Sequence, residues 1–208
     1  MANFLHRYRH LLLAAGFLVP LAAGAVLLRM ASGGPDSSDT HRVTQVVGGL
    51  FTLTAPGGSV VGPGSWPGKL LLIAFGYSYC PDICPTNLGT IARALDQLGP
   101  DAARIQPLFI SVDPDRDTPD KLRTYAALFH PSLIGLTGTK AQIAEAARSF
   151  RVYFQKVEGA TPESYTMDHT ADYFAASDHG SVIRIFDHET PPEKLAKSLK
   201  DVLSGTKL

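Results

Sequence analysis

Lys69–Gly76 (KLLLIAFG) is an uninterrupted apolar run of strand length. Such a run is expected of a central strand buried on both faces, which needs partner strands at its edges and helices above and below. The remaining sequence offers both in alternation. Thr86–Leu98 carries Leu88, Ile91, Ala92, Leu95 and Leu98 at helical spacing and stops at Gly99-Pro100. Arg104–Val112 follows as a strand, Thr118–Phe129 as a helix with Pro119 in its first turn, Leu133–Leu136 as a short strand, Thr139–Phe150 as a helix and Val152–Val157 as a strand. Ala171–Ala176 and Val182–Phe186 make a hairpin through Ser177–Ser181, and Pro191–Leu203 closes the chain as a helix. Ahead of them, Leu50–Thr54 and Ser59–Val61 flank Pro56-Gly57-Gly58 as a short hairpin. This order predicts an α/β domain with a central, mainly parallel sheet, helices on both faces and an N-terminal hairpin.

The first residues carry a different message. Leu11–Leu28 is an 18-residue run without a charge, preceded by the basic HRYRH. Hydrocarbon about 30 Å thick needs ~20 apolar residues in a helix, so the run is expected to span a membrane once. Ala23-Gly24-Ala25 makes a removed signal peptide the alternative. The expected organisation is a cytoplasmic leader (1–10), an anchor or signal (11–28), a flexible tether (29–48) and an exported domain (49–208) in an oxidising compartment. No Cys directly follows the apolar run, which excludes a lipid at that point. Beyond residue 30 the balance is 16 basic against 19 acidic side chains, and this gives no electrostatic reason to expect nucleic acid.

The only two cysteines stand in Tyr79-Cys80-Pro81-Asp82-Ile83-Cys84-Pro85, between the buried strand and the next helix. That is the carboxyl end of the strand, where open α/β sheets place their ligands. Pro85 suits a first helical position, which puts Cys84 near the N-cap, where free N–H groups favour a thiolate. Pro81 and Pro85 stiffen the loop. A plain disulfide across three intervening residues would remove little chain entropy and stabilise little, so chemistry explains the pair better. Two chemistries compete. A dithiol/disulfide couple needs only the sulfurs. A metal site needs a further ligand, and two thiolates select Cu(I) first and Zn²⁺ next.

Five histidines lie beyond the leader. His41 falls in the tether, His179 in a hairpin turn and His188 at a strand end, where solvated surface roles suffice. His130 precedes Pro131 at a helix end and can cap carbonyls. His169, in Tyr165-Thr166-Met167-Asp168-His169-Thr170 just ahead of a strand, is either a ligand or a buried imidazole satisfied by backbone. Asp168 beside it and Tyr79 beside Cys80 are candidates to support the site from outside the ligand shell. Asp113-Pro114-Asp115-Arg116-Asp117 begins like a calcium loop but has Thr118 at position six and Thr124 at position twelve, so it is expected as a strand-to-helix loop capped by Asp117 or Thr118, with room at that strand's carboxyl end for shaping the site or a partner surface.

FGYSYCPDICP, then SVDPDRDTPDKLRTY, LIGLTGT and YTMDHTADY, in that order, resemble the Sco/SenC family of copper-binding, thioredoxin-like proteins that assist cytochrome c oxidase assembly. The resemblance runs from about Leu50 to the C-terminus. It implies a thioredoxin-like fold and copper, Cu(I) or also Cu(II), held by Cys80, Cys84 and His169. It further implies cytochrome c oxidase subunit II as partner, either receiving copper at its dinuclear site or having its cysteines reduced, with another copper chaperone as a candidate donor. The expected protein is a monomer at a bacterial inner membrane facing the periplasm, since the short leader fits a mitochondrial presequence less well. Two enzyme readings stand beside it: a thiol–disulfide reductase acting through Cys80 and Cys84, and a thiol peroxidase. Against the first, C-x-x-x-C has one residue more than the usual redox motif.

Overall fold

The structure is a computed structural model that describes residues 48–159, 161 and 164–205. The expected leader, the anchor and nearly all of the tether lie outside the described residues. Among the described residues no helix is long and apolar enough to cross a membrane. In chain order the elements are β1 (Leu53–Thr54), β2 (Val60–Val61), β3 (Leu70–Gly76), α1 (Ile83–Leu98), β4 (Ile105–Ser111), α2 (Pro119–Ala127), β5 (Ile134–Leu136), α3 (Lys140–Ser149), β6 (Phe154–Val157), β7 (Thr166–His169), β8 (Tyr173–Ala176), β9 (Val182–Phe186) and α4 (Pro192–Gly205).

All seven residues of β3 are buried, as its sequence demands. Its side chains alternate into two cores with the period of a strand. Leu71, Ile73 and Phe75 join Phe51, Leu53, Ile143, Ala147 and Phe150, while Leu70, Leu72 and Ala74 join Leu88, Ile91, Leu95, Leu122, Leu195 and Leu199. Helices α1, α2 and α4 therefore cover one face, and α3 with the β1–β2 hairpin covers the other. Each fully buried Leu, Ile or Phe contributes about 1.5–3 kcal/mol, so β3 is fixed from both sides and its carboxyl end is a firm platform.

The central sheet runs β5-β4-β3-β8-β9. The β3–β4 and β4–β5 pairs are parallel, but β3–β8 and β8–β9 are antiparallel. The sheet is mixed, which corrects the expectation of a mainly parallel one. The reason is local. β7 ends near the carboxyl end of β3, and Tyr173 enters the sheet shortly beyond β7, opposite Ala74. A parallel strand would first need a crossover back to the other end of the sheet.

A second correction concerns Val152–Val157. The expected strand forms as β6, yet it does not enter the central sheet. It pairs with β7 in a separate two-stranded ribbon, from Phe154 opposite His169 to Val157 opposite Thr166. The segment that carries His169 is thus itself a strand. Two helix starts shape the loops at the carboxyl end of the sheet. α1 begins at Ile83, three residues earlier than the apolar pattern suggests, so Cys84 lies inside its first turn. α2 is capped by Thr118, whose hydroxyl accepts from the Lys121 N–H at 3.3 Å, which leaves Asp117 free for another role.

Candidate metal centre

β3 ends at Gly76, and a side chain there would not fit. A Cβ on Gly76 would lie 2.7 Å from Cys84 Sγ and 2.7 Å from the Phe109 ring. The bare backbone lets the sulfur of α1 settle against the strand end. Beyond it, the loop is tied down by Ser78, whose N–H donates to Asp117 Oδ2 at 2.9 Å and whose hydroxyl donates to Oδ1. The Ser111 hydroxyl at the end of β4 donates to the same carboxylate at 2.7 Å. Asp117 is fully buried, and a buried carboxylate is tolerable only when its oxygens are met by donors in this way.

Cys84 is buried and Cys80 half-buried, and both are free thiols. The Cys84 N–H donates to Cys80 Sγ at 3.4 Å. His169 Nε2 lies 3.4 Å from Cys84 Sγ, and the three donor atoms all fall within 4.8 Å of one another. His169 Nδ1 is 2.9 Å from the Thr170 carbonyl oxygen. A carbonyl only accepts, so Nδ1 carries the proton of the neutral ring and Nε2 turns its lone pair toward the sulfurs, the tautomer a metal ligand requires. The buried Tyr77 ring meets His169 edge to face at 6.0 Å.

The two thiols are unequal. The Cys80 thiol is lowered to about 3, chiefly because Cys84 hydrogen-bonds to it. The N–H groups of Asp82 and Cys84 add to this against the opposing effect of burial. Cys84 is pushed up by donating to Cys80 and by its own burial. The apo pair is therefore one thiolate and one thiol, and a metal that takes both sulfurs must displace one further proton. Two sulfurs and one imidazole form a soft donor set that suits Cu(I) best.

The other described histidines stay away. His130 accepts at Nδ1 from the Ser132 N–H, His179 is exposed beside Asp178, and His188 lies near Asp187; His41 is outside the described residues. A second donor group, Asp172, Asp187 and His188, comes together at the β8–β9 end. Asp168 faces away. Neighbours on a strand point to opposite sides, so Asp168 is exposed while His169 turns inward, and the acceptor on Nδ1 is the Thr170 carbonyl. Tyr79 is 55% exposed and lies under Lys121 and Arg116. From the sequence, Asp117 was expected only as a helix cap and Arg116 only within a loop at the site's end of the sheet, while Gly76, Ser78 and Tyr165 were not singled out. The signal for Arg116 and Asp117 was DPDRD at the carboxyl end of β4, the same sheet end as the cysteines.

A mixed sheet of thioredoxin type, with a C-x-x-x-C loop at its edge and a histidine brought over it by a ribbon, defines a protein built around a single soft-metal or redox centre. The chain belongs to the SCO1/SenC family, whose model matches residues 39–204. It is 37% identical over 160 residues to the mitochondrial protein SCO2 of Saccharomyces cerevisiae, covering 74% of this chain and 53% of that one. An SCO2-like protein of Rickettsia felis is 35% identical, over 74% and 76% of the two chains. The structure of Bradyrhizobium japonicum ScoI with copper bound superposes with a TM-score of 0.69 at 43% identity, covering 74% of this chain and 98% of that one. The chain spans about half the length of the yeast relative.

Proposed function

We propose that this chain binds one copper ion through Cys80, Cys84 and His169 and delivers it to the dinuclear copper site of cytochrome c oxidase subunit II. The observation that carries this reading is His169 Nε2 set 3.4 Å from Cys84 Sγ with Cys80 Sγ in the same cluster. The donor set is the one the family resemblance implies, and a relative at 43% identity holds copper. In this reading Leu11–Leu28 tethers the domain to a bacterial inner membrane and the domain works in the periplasm as a monomer, supplied by another copper chaperone. Copper supplies a thiophilic, exchangeable centre, and the chain's part is to present two sulfurs from a fixed loop and an imidazole in the correct tautomer. Joining Cys80 to Cys84 removes both thiolates, so oxidation switches binding off.

The inequality of the thiols favours one second reading, in which Cys80 attacks a partner's disulfide and Cys84 resolves the mixed disulfide. An anaerobic titration of the reduced full chain against a Cu(I) chelator separates the two. One tight copper per chain, weakened by Cys80→Ser, Cys84→Ser and His169→Ala, is the expected result. Failure of the wild type to compete, together with reduction of a disulfide substrate that survives His169→Ala, would replace the copper reading with the reductase.

A further inference from the structure

Five side chains stack in alternation beside the sulfurs. Lys121 Nζ lies 3.5 Å from the centre of the Tyr79 ring, the Arg116 guanidinium 4.6 Å from the same ring and 3.5 Å from the Tyr165 ring, and Lys156 Nζ 4.2 Å from Tyr165. Cations prefer the faces of aromatic rings, and a guanidinium can also stack flat on them. The members come from separate pieces of chain: α2, the cysteine loop, the β4–α2 loop, the approach to β7, and β6. Arg116 is the middle of the series. It touches Tyr79, the neighbour of Cys80, and Tyr165, four residues before His169.

Polar contacts fix it there. Its Nε donates to the Asp113 carboxylate, and Nη1 donates to the Tyr165 carbonyl at 3.0 Å. The Tyr165 hydroxyl donates to Asp113 Oδ1 at 2.7 Å, so Arg116 and Tyr165 are gripped by one carboxylate. Nη2 is buried without a hydrogen-bond partner among the described residues. Leaving a charged donor unmatched is costly, and an apolar or shorter residue would avoid that cost. The guanidinium is held where its planar faces, rather than all its donors, are used.

We propose that Arg116 is a positioning residue for the metal centre: clamped between Tyr79 and Tyr165, it latches the β6–β7 ribbon to the cysteine loop and sets the approach of His169 Nε2 to the sulfurs. The inference rests on the reading of Cys80, Cys84 and His169 as the copper ligands. Without the latch the cysteine loop keeps its own support, since Asp117 holds Ser78 independently. The ribbon, in contrast, shares no ladder with the central sheet.

The test uses the reduced full chain in two measurements. In Cu(I) competition titrations Arg116→Ala should weaken affinity 10–100-fold, as losses of supporting groups around metal ligands do. The Arg116→Ala/His169→Ala pair should bind no more weakly than His169→Ala alone, because Arg116 acts through the histidine. In hydrogen exchange on the metal-free chain, Arg116→Ala should speed β6 and β7 amides and leave β3 and β4 protected. Wild-type affinity in Arg116→Ala, or losses that multiply with His169→Ala, would overturn the proposal. If Arg116→Ala exposes β3 and β4 as well, Tyr79→Ala decides in its place, since that ring is largely exposed and forms one jaw of the clamp. An affinity loss in this range upholds the latch, and unchanged affinity refutes it. A wild type that binds no copper would defeat the ligand assignment, and the exchange of the ribbon would then decide the latch by itself.

Discussion

At the level of single residues, the centre depends as much on an absent side chain as on the three donors. Gly76 has no positive φ to satisfy, so its role is space, not backbone conformation. A methyl group there meets Cys84 Sγ and the Phe109 ring at 2.7 Å, and both neighbours are packed too closely to yield. Gly76→Ala should therefore cost about 1–3 kcal/mol of stability, typical of overpacking, and should weaken Cu(I) binding further by moving one sulfur. Urea unfolding and chelator competition on the same preparation check this, and wild-type values in both would show that the strand end is softer than its packing implies. A sequence cannot reveal this requirement, because KLLLIAFG announces a buried strand but not which atom waits beyond its last residue.

The elements show where pattern reading ran short. The apolar spacing of Leu88, Ile91, Leu95 and Leu98 located α1, but its first turn carries Ile83-Cys84-Pro85-Thr86, where packing no longer sets the rhythm. The helix thus begins three residues early and brings the N–H groups of Asp82 and Cys84 toward Cys80. With that thiol lowered to about 3, Cys80 is ionised throughout pH 5–8, and its alkylation by iodoacetamide should be nearly independent of pH in that range. An ordinary thiol, ionising near 8.5, would instead react about tenfold faster for each unit of rising pH, and that slope would contradict a Cys80 thiolate held first by the Cys84 thiol and then by the N–H groups of the helix start. The ribbon was half legible. Val152–Val157 was found as a strand, but its exposed end, Gln155, Lys156 and Val157, belongs to a satellite, and only three-dimensional pairing with Thr166–His169 discloses that.

For the molecule as a whole, the alternation of elements correctly placed helices on both faces and put the cysteines at the carboxyl edge of the sheet. Strand direction was not legible, because it depends on which end of the sheet the chain has reached when β8 begins. The same whole-molecule view predicts how little the cysteines do for folding. A bridge across three residues removes little chain entropy, and oxidation forfeits the favoured Cys80 thiolate. The oxidised chain should unfold at no higher temperature than the reduced one while losing copper binding entirely. A rise of several degrees in Tm on oxidation, measured by calorimetry, would make the pair a structural staple after all.

The division between a fixed cysteine loop and a satellite ribbon has a kinetic meaning. Two donors sit on a platform held by both cores, and the third arrives on a separate two-stranded arm. A chelate built so can fall from three teeth to two without disturbing the scaffold, and an incoming donor can occupy the vacated place before either sulfur lets go. If the chain passes copper to a partner as proposed, transfer would then run through a complex in which both proteins hold the ion: its rate would climb with acceptor concentration until opening of the arm limits it, and the ion would never be at large in solution.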